Sequence, residues 1–213
     1  MTPAPKSNKR STTRGRPRTF DKDAVLQLIV KVFWAKGYSG TSLDDLAKAT
    51  ALSRPSLYAA YGNKLSMYLA ALEVFGQRMA TEAVGALATG PDLHAGLRNF
   101  YEAALDIYLG KDGEMAQGCL VFTTAVTEAT TEPEIKTMLQ AQLAGMDEAV
   151  KALIAGRVPS ADPTTIAAAA ALASGTLLNL ATRARAGTPR AVLSGIAKTT
   201  ADAITTLTSP EPA

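Results

Sequence analysis

Few residues in this chain could do covalent chemistry. Its 213 residues include one His, His94, and one Cys, Cys119. Any His-dependent catalysis would have to rest on His94 alone, and an internal disulfide framework and a Cys/His zinc site each lack further members. Neither a Gly-rich phosphate loop nor a nucleophile motif is present, so no catalytic residue, metal or cofactor is expected. Cationic chemistry is better supplied. Residues 1–64 hold 12 of the 22 Lys+Arg but only four of the 19 acids, Asp21, Asp23, Asp44 and Asp45. The remaining 149 residues carry ten basic and 15 acidic side chains. A basic front on a mildly acidic body implies one polyanion-binding module and a body with another task.

The elements that must position these charges are helices. At 47% hydrophobic and 19% charged residues, the chain has material for a core. Residues 1–19 are polar, basic and Pro-rich, and read as an arm without hydrophobic period. Phe20-Asp21 opens a helix with Val25, Leu28, Ile29, Val32 and Phe33 on one face, ended by Gly37. Ser42-Leu43-Asp44-Asp45 has the form of a capping box and starts a short helix. Ser53 caps another, Arg54 to Tyr61, with Pro55 in its first turn. Two short helices joined by a tight turn after a longer one predict a helix-turn-helix unit over residues 20–64.

Beyond Lys64 the chain reads as helix after helix, each marked by apolar residues at helical spacing. These fall near 65–75, 97–108, 120–129, 135–153, 162–186 and 189–207. No alternating strand pattern and no repeat of 20–50 residues is found. The fold class expected is all-α with about nine helices. Pro163 to Thr182 carries no charge and has the length of a membrane span. Its seven alanines and scattered Thr, Ser, Gly and Asn fit close helix packing better, so no membrane is expected. The basic start lacks the apolar stretch of a signal peptide, and the single Cys suits an intracellular, cytoplasmic setting.

The segment Thr41 to Lys64 reads TSLDDLAKATALSRPSLYAAYGNK. With Gly37-Tyr38, Thr41-Ser42, Leu46-Ala47, Leu52-Ser53, Leu57-Tyr58, Tyr61 and Lys64, it resembles the DNA-binding region of the TetR/AcrR family of bacterial transcription regulators. The resemblance covers residues 20–64. It implies that the second short helix enters the major groove of double-stranded DNA, where base edges are distinguishable. Arg54, Pro55, Ser56 and Tyr58 would lie on that helix and Tyr61 at its end. Arg54 could hold a guanine edge or a phosphate. Thr41, Ser42 and Lys64 would sit near helix starts, which favour phosphate. Two positions depart from the family: Ala51 stands where Gly is usual in the turn, and Ala60 where a larger residue is common. In the arm, Arg14-Gly15-Arg16-Pro17-Arg18 resembles an AT-hook, whose arginines enter a narrow minor groove. A basic arm that adds affinity without reading sequence is the alternative.

For the body, over 65–208, the resemblance implies a homodimer and a pocket for a small-molecule effector of unknown identity. The last two helices, about 162–186 and 189–207, are the dimerisation candidates, because Ala, Gly175 and Thr permit close approach. Tyr101, Tyr108, Cys119, Phe122, Met138 and Met146 are candidates to line the pocket. The leading expectation is a repressor bound to a palindromic operator and released by its effector. A nucleoid-type architectural protein and an α-helical enzyme with a basic accessory domain are the competing classes.

Overall fold

Asp21 starts the first helix by accepting from the N–H groups of Asp23 and Ala24 at 2.9 and 3.2 Å. A helix start leaves these donors without partners in the chain, and a carboxylate satisfies them. The structure, a computed structural model, describes residues 20–110 and 117–209; Arg14, Arg16 and Arg18 lie outside the described residues. Helix α1 (Lys22–Lys36) turns Val25, Ile29, Val30 and Phe33 inward and ends at Gly37, whose φ is 71°. The chain then reverses tightly. A Cβ on Gly40 would fall 2.4 Å from the Lys36 carbonyl oxygen, so only glycine fits there.

The capping box forms as the sequence indicates. Ser42 Oγ accepts from Asp45 N–H, and the Asp45 carboxylate accepts from Ser42 N–H at 2.9 Å, starting α2 (Leu43–Thr50). Hydrogen bonding from Lys36, then from Ser42, holds the Asp45 carboxyl well below its usual range. Helix α3 (Arg54–Tyr61) follows under the Ser53 cap. Between the two, Ala51 adopts φ 54° and ψ 23°, a left-handed backbone that crowds its Cβ against the following carbonyl. Ala51→Gly is therefore expected to stabilise the protein by about 0.5–1 kcal/mol, after the larger chain entropy of glycine is counted. Urea unfolding of the two proteins checks this, and an unchanged midpoint would mean that the turn carries no strain.

The body continues the helical order. Helix α4 (Lys64–Arg78) passes without a break through wider π turns at Met79–Val84 into α5 (Gly85–Leu87). Helix α6 (Leu93–Leu109) follows, and a second π segment, Val121–Ala125, leads into α7 (Val126–Glu128). The long helices α8 (Pro133–Arg157), α9 (Pro163–Arg185) and α10 (Arg190–Thr208) complete the chain. With each continuous rod taken once, the described residues form nine helices and no strand. The all-α expectation is met. The main difference is the first body rod, which outruns its marked apolar face and runs on through π turns into α5.

Helix α9 is long and apolar enough to cross a membrane. Its Ala169, Ala170, Ala173, Leu177, Ala181 and Ala184 are instead buried within the protein, packed toward α6, α8 and α10. Thr176 of α9 donates to Thr200 of α10 at 3.3 Å. On α6, His94 Nε2 lies 2.8 Å from Asp202 of α10, which also pairs with Lys198. The outer faces of α9 and α10 stay open, with Leu172, Leu178, Val192 and Leu207 all exposed.

Candidate nucleic-acid interface and internal cavity

Leu57 is fully buried against the head's core, and this fixes the roll of α3. One helical step away, Arg54, Pro55 and Tyr58 point to solvent, Tyr58 with 45% of its surface exposed. A large aromatic left open on a short helix is available to a thymine methyl or a phosphate. Arg54 is held in a two-pronged contact by Asp44 of α2, Nε on Oδ1 at 2.8 Å and Nη2 on Oδ2. Both partners are well exposed, so salt and water screen the pair. A phosphate or guanine edge would take the place of Asp44. Ser56 is half-buried, its hydroxyl 2.9 Å from that of the Ser53 cap. Ser42 is exposed at the start of α2. Lys64, at the start of α4, lies over the Tyr38 ring at 4.5 Å from its centre.

Two expected interface residues are turned to packing instead. Thr41 is 2% exposed, and its hydroxyl donates to the Gly37 carbonyl at 2.6 Å, closing the turn after α1. Tyr61 donates to the Lys22 carbonyl at 2.6 Å and so pins the end of α3 to the start of α1. Their positions beside helix ends were legible, but the direction of each side chain depends on α1, which no local motif encodes.

Behind the head, α4, its π turns, the 119–122 segment and α8 line a half-open cavity of about 520 Å³. Its origin is side-chain size. Ala141, Gly145 and Ala149 repeat every fourth residue along α8 and face Gly76 and Ala80 across the gap. Both π segments border it, and such turns widen a helix and recur at functional sites. Of the predicted lining, Cys119, Phe122, Met138 and Met146 are in place. Tyr101 and Tyr108 are corrections: α6 buries both fully in the core, away from the cavity wall. Tyr101 faces α9, with its hydroxyl 3.4 Å from the Ala173 carbonyl, and Tyr108 lies against Cys119. Burial pushes the Cys119 thiol up to about 12, despite hydrogen bonds from Phe122 and Val121. It is a thiol at neutral pH, without the thiolate that redox sensing needs. Among the described residues, no cluster of His, Cys, Asp or Glu could hold a metal.

The joint between head and body uses residues that the sequence did not single out. Arg185, at the end of α9, donates to the carbonyls of Trp34 and Ala35 at the end of α1, at 3.0 and 3.4 Å. The same guanidinium reaches the Gln117 carbonyl at 3.1 Å and Thr123 at 3.3 Å. Trp34 Nε1 donates to the Gly118 carbonyl at 3.0 Å. Glu128 accepts from the N–H and hydroxyl of Ser39, and Tyr68 meets Thr124 at 2.6 Å. On α8, Gln142 Nε2 donates to the Leu72 carbonyl of α4 at 2.8 Å. Gln142 had a sequence signal, being polar on a face otherwise marked by Leu139, Met138 and Met146. Arg185 and Trp34 had none, since their partners lie 62–151 residues away.

Comparison with known proteins agrees with this geometry. Residues 25–71 match the profile of the family described as bacterial regulatory proteins, tetR family. The transcriptional repressor ComR of Escherichia coli K12 is 30% identical over 146 residues, covering 68% of this chain and 69% of ComR. The transcriptional activator FasR of Mycolicibacterium smegmatis is 28% identical, over 65% of this chain and 60% of FasR. Among solved structures, a cysteine mutant of the TetR family regulator CifR, in complex with 26-base-pair operator DNA, superposes with a TM-score of 0.80. It is 26% identical and spans 89% of this chain and 99% of its own. With a matching head and an all-helical body, the chain belongs to the TetR family of bacterial transcription regulators, which are DNA-binding regulators and not enzymes.

Proposed function

We propose that this protein is a cytoplasmic repressor that binds a palindromic operator as a homodimer and is released by a small-molecule effector. Residues Arg54, Pro55, Ser56 and Tyr58 of α3 would meet base edges, and Ser42 and Lys64 the flanking phosphates. Arg14, Arg16 and Arg18 would follow the adjacent minor groove. The observation that carries the reading is that only two residues separate the end of the recognition helix from the start of α4, which also forms a wall of the cavity. A ligand that displaces this wall would move the head, and an effector can shift operator affinity only through such a difference between states. Dimerisation through α9 and α10 is supported by their uncharged outer stripes. Ala168, Leu172, Gly175 and Asn179 are exposed along one, and Val192, Gly195, Thr199 and Ala203 along the other.

The test is selection of bound duplexes from a random library by the purified full-length protein at physiological salt. An enriched inverted repeat is the expected result, since specific binding should exceed non-specific binding by roughly 10³ or more. Binding without enrichment would make this a non-specific architectural protein instead.

A further inference from the structure

The cavity's polar side chains are few: the Glu73 carboxylate, the Gln77 and Gln142 amides and the Cys119 thiol. Glu73, at the exposed opening, is the one charged residue among those lining it, and none of them is Lys, Arg or His. Cys119 remains an uncharged thiol. Gln142 has both its nearby amide contacts on the nitrogen, to the Leu72 carbonyl at 2.8 Å and to Met138 Sδ at 3.7 Å. That leaves Oε1 without a protein donor among the described residues. Gly76 admits the amide so closely that a Cβ there would fall 2.5 Å from Oε1, so the amide's place is fixed by the backbone of α4. A carboxylate accepts hydrogen bonds but donates none, and an amide oxygen likewise only accepts. Around them the wall is Met, Val, Phe and Ala.

Resting on the reading of this cavity as the effector site, we propose that its ligand is an apolar molecule bearing a hydrogen-bond donor, neutral or cationic, and that anions are refused. The donor engages Gln142 Oε1 or the Glu73 carboxylate, while the apolar body fills the space between α4 and α8. A sulfonate, phosphate or carboxylate would lose its hydration with no cation to replace it, and would face Glu73 as a like charge. The volume of about 520 Å³ suits a molecule of ordinary drug size.

Two dyes on one skeleton test this with the full chain: N-phenyl-1-naphthylamine, neutral with an N–H donor, and its 8-sulfonate. The expected result is fluorescence enhancement by the amine and binding about tenfold or more weaker for the sulfonate, the size of a like-charge contact. Glu73→Gln should narrow that gap. Gly145→Phe should abolish binding of the amine. Gly145 lines the cavity with nothing within 4 Å of an added Cβ, so the ring enters open space. Replacing a mid-helix glycine also favours the helix, which keeps the fold intact. Sulfonate binding as tight as the amine, and lost in Gly145→Phe, would overturn the ligand class while leaving the cavity as the site. Amine binding indifferent to Gly145→Phe, or no binding of either dye, would overturn the effector-site reading itself.

Discussion

An Arg54→Ala, Tyr58→Ala double variant is expected to lose about 10²-fold or more of its preference for operator over unrelated DNA. Each good side-chain contact to a base is worth about 1–3 kcal/mol of discrimination, and the two residues are the outward-facing large groups of α3. Neither side chain supports the core. Tyr58 is exposed, and among the described residues the hydrogen bonds of the Arg54 guanidinium go to the exposed Asp44. The helical circular dichroism and the mass in solution should therefore stay as in the parent. Competition binding against unrelated duplex measures the preference, and a preference equal to the parent's would remove α3 from the role of reader. Asp44→Ala provides a companion measurement. It frees the guanidinium from its two-pronged partner, so affinity for any duplex should rise, and its salt dependence should steepen as one more cation becomes available to phosphate.

Leu172→Glu is the second large effect. Leu172 is 48% exposed on the outer stripe of α9, so a carboxylate there costs the folded monomer little. In a two-fold interface the same substitution enters twice, and two carboxylates are brought together in an otherwise uncharged seam. A monomer at micromolar concentration is the expected outcome in light scattering. Operator affinity should fall about 10²–10⁴-fold, because the two heads no longer share one effective concentration on the DNA. A variant that stays dimeric would move the interface off α9.

How far the sequence carried can be judged from single residues. Asp21, Ser42, Ser53 and Gly37 announce helix starts and stops through chemistry that acts within three or four positions, and each does so in the structure. Ala51 is a similar success: its departure from glycine foretold the strained backbone that is found. Phe122, Met138 and Met146 were candidates by type and helical spacing, and together with Cys119 they border the cavity. The same rule misplaced Tyr101 and Tyr108, because periodicity tells that a face is buried but not whether it meets a void or another helix. Thr41 and Tyr61 turn their hydroxyls to backbone carbonyls for a related reason. Each has a hydroxyl at a helix end, and whether it meets phosphate or a backbone carbonyl is settled by the approach of α1. The joint at Arg185 was invisible, since a lone arginine near a helix end is the ordinary sight of a solvated charge.

That joint bears on how such proteins can be recombined. The Arg185 guanidinium closes the carbonyl end of α1 as well as the strand of chain entering the cavity wall, and the Trp34 indole grips that same strand at Gly118. The head is thus soldered to its own body at a point remote in sequence from the natural cut near Lys64. A graft of residues 20–64 onto a relative's body would leave the Trp34 and Ala35 carbonyls and the indole N–H facing strangers. Portable recognition would require Trp34, Gly118 and Arg185 to travel as a set, which makes them, rather than the linker, the true border of the module.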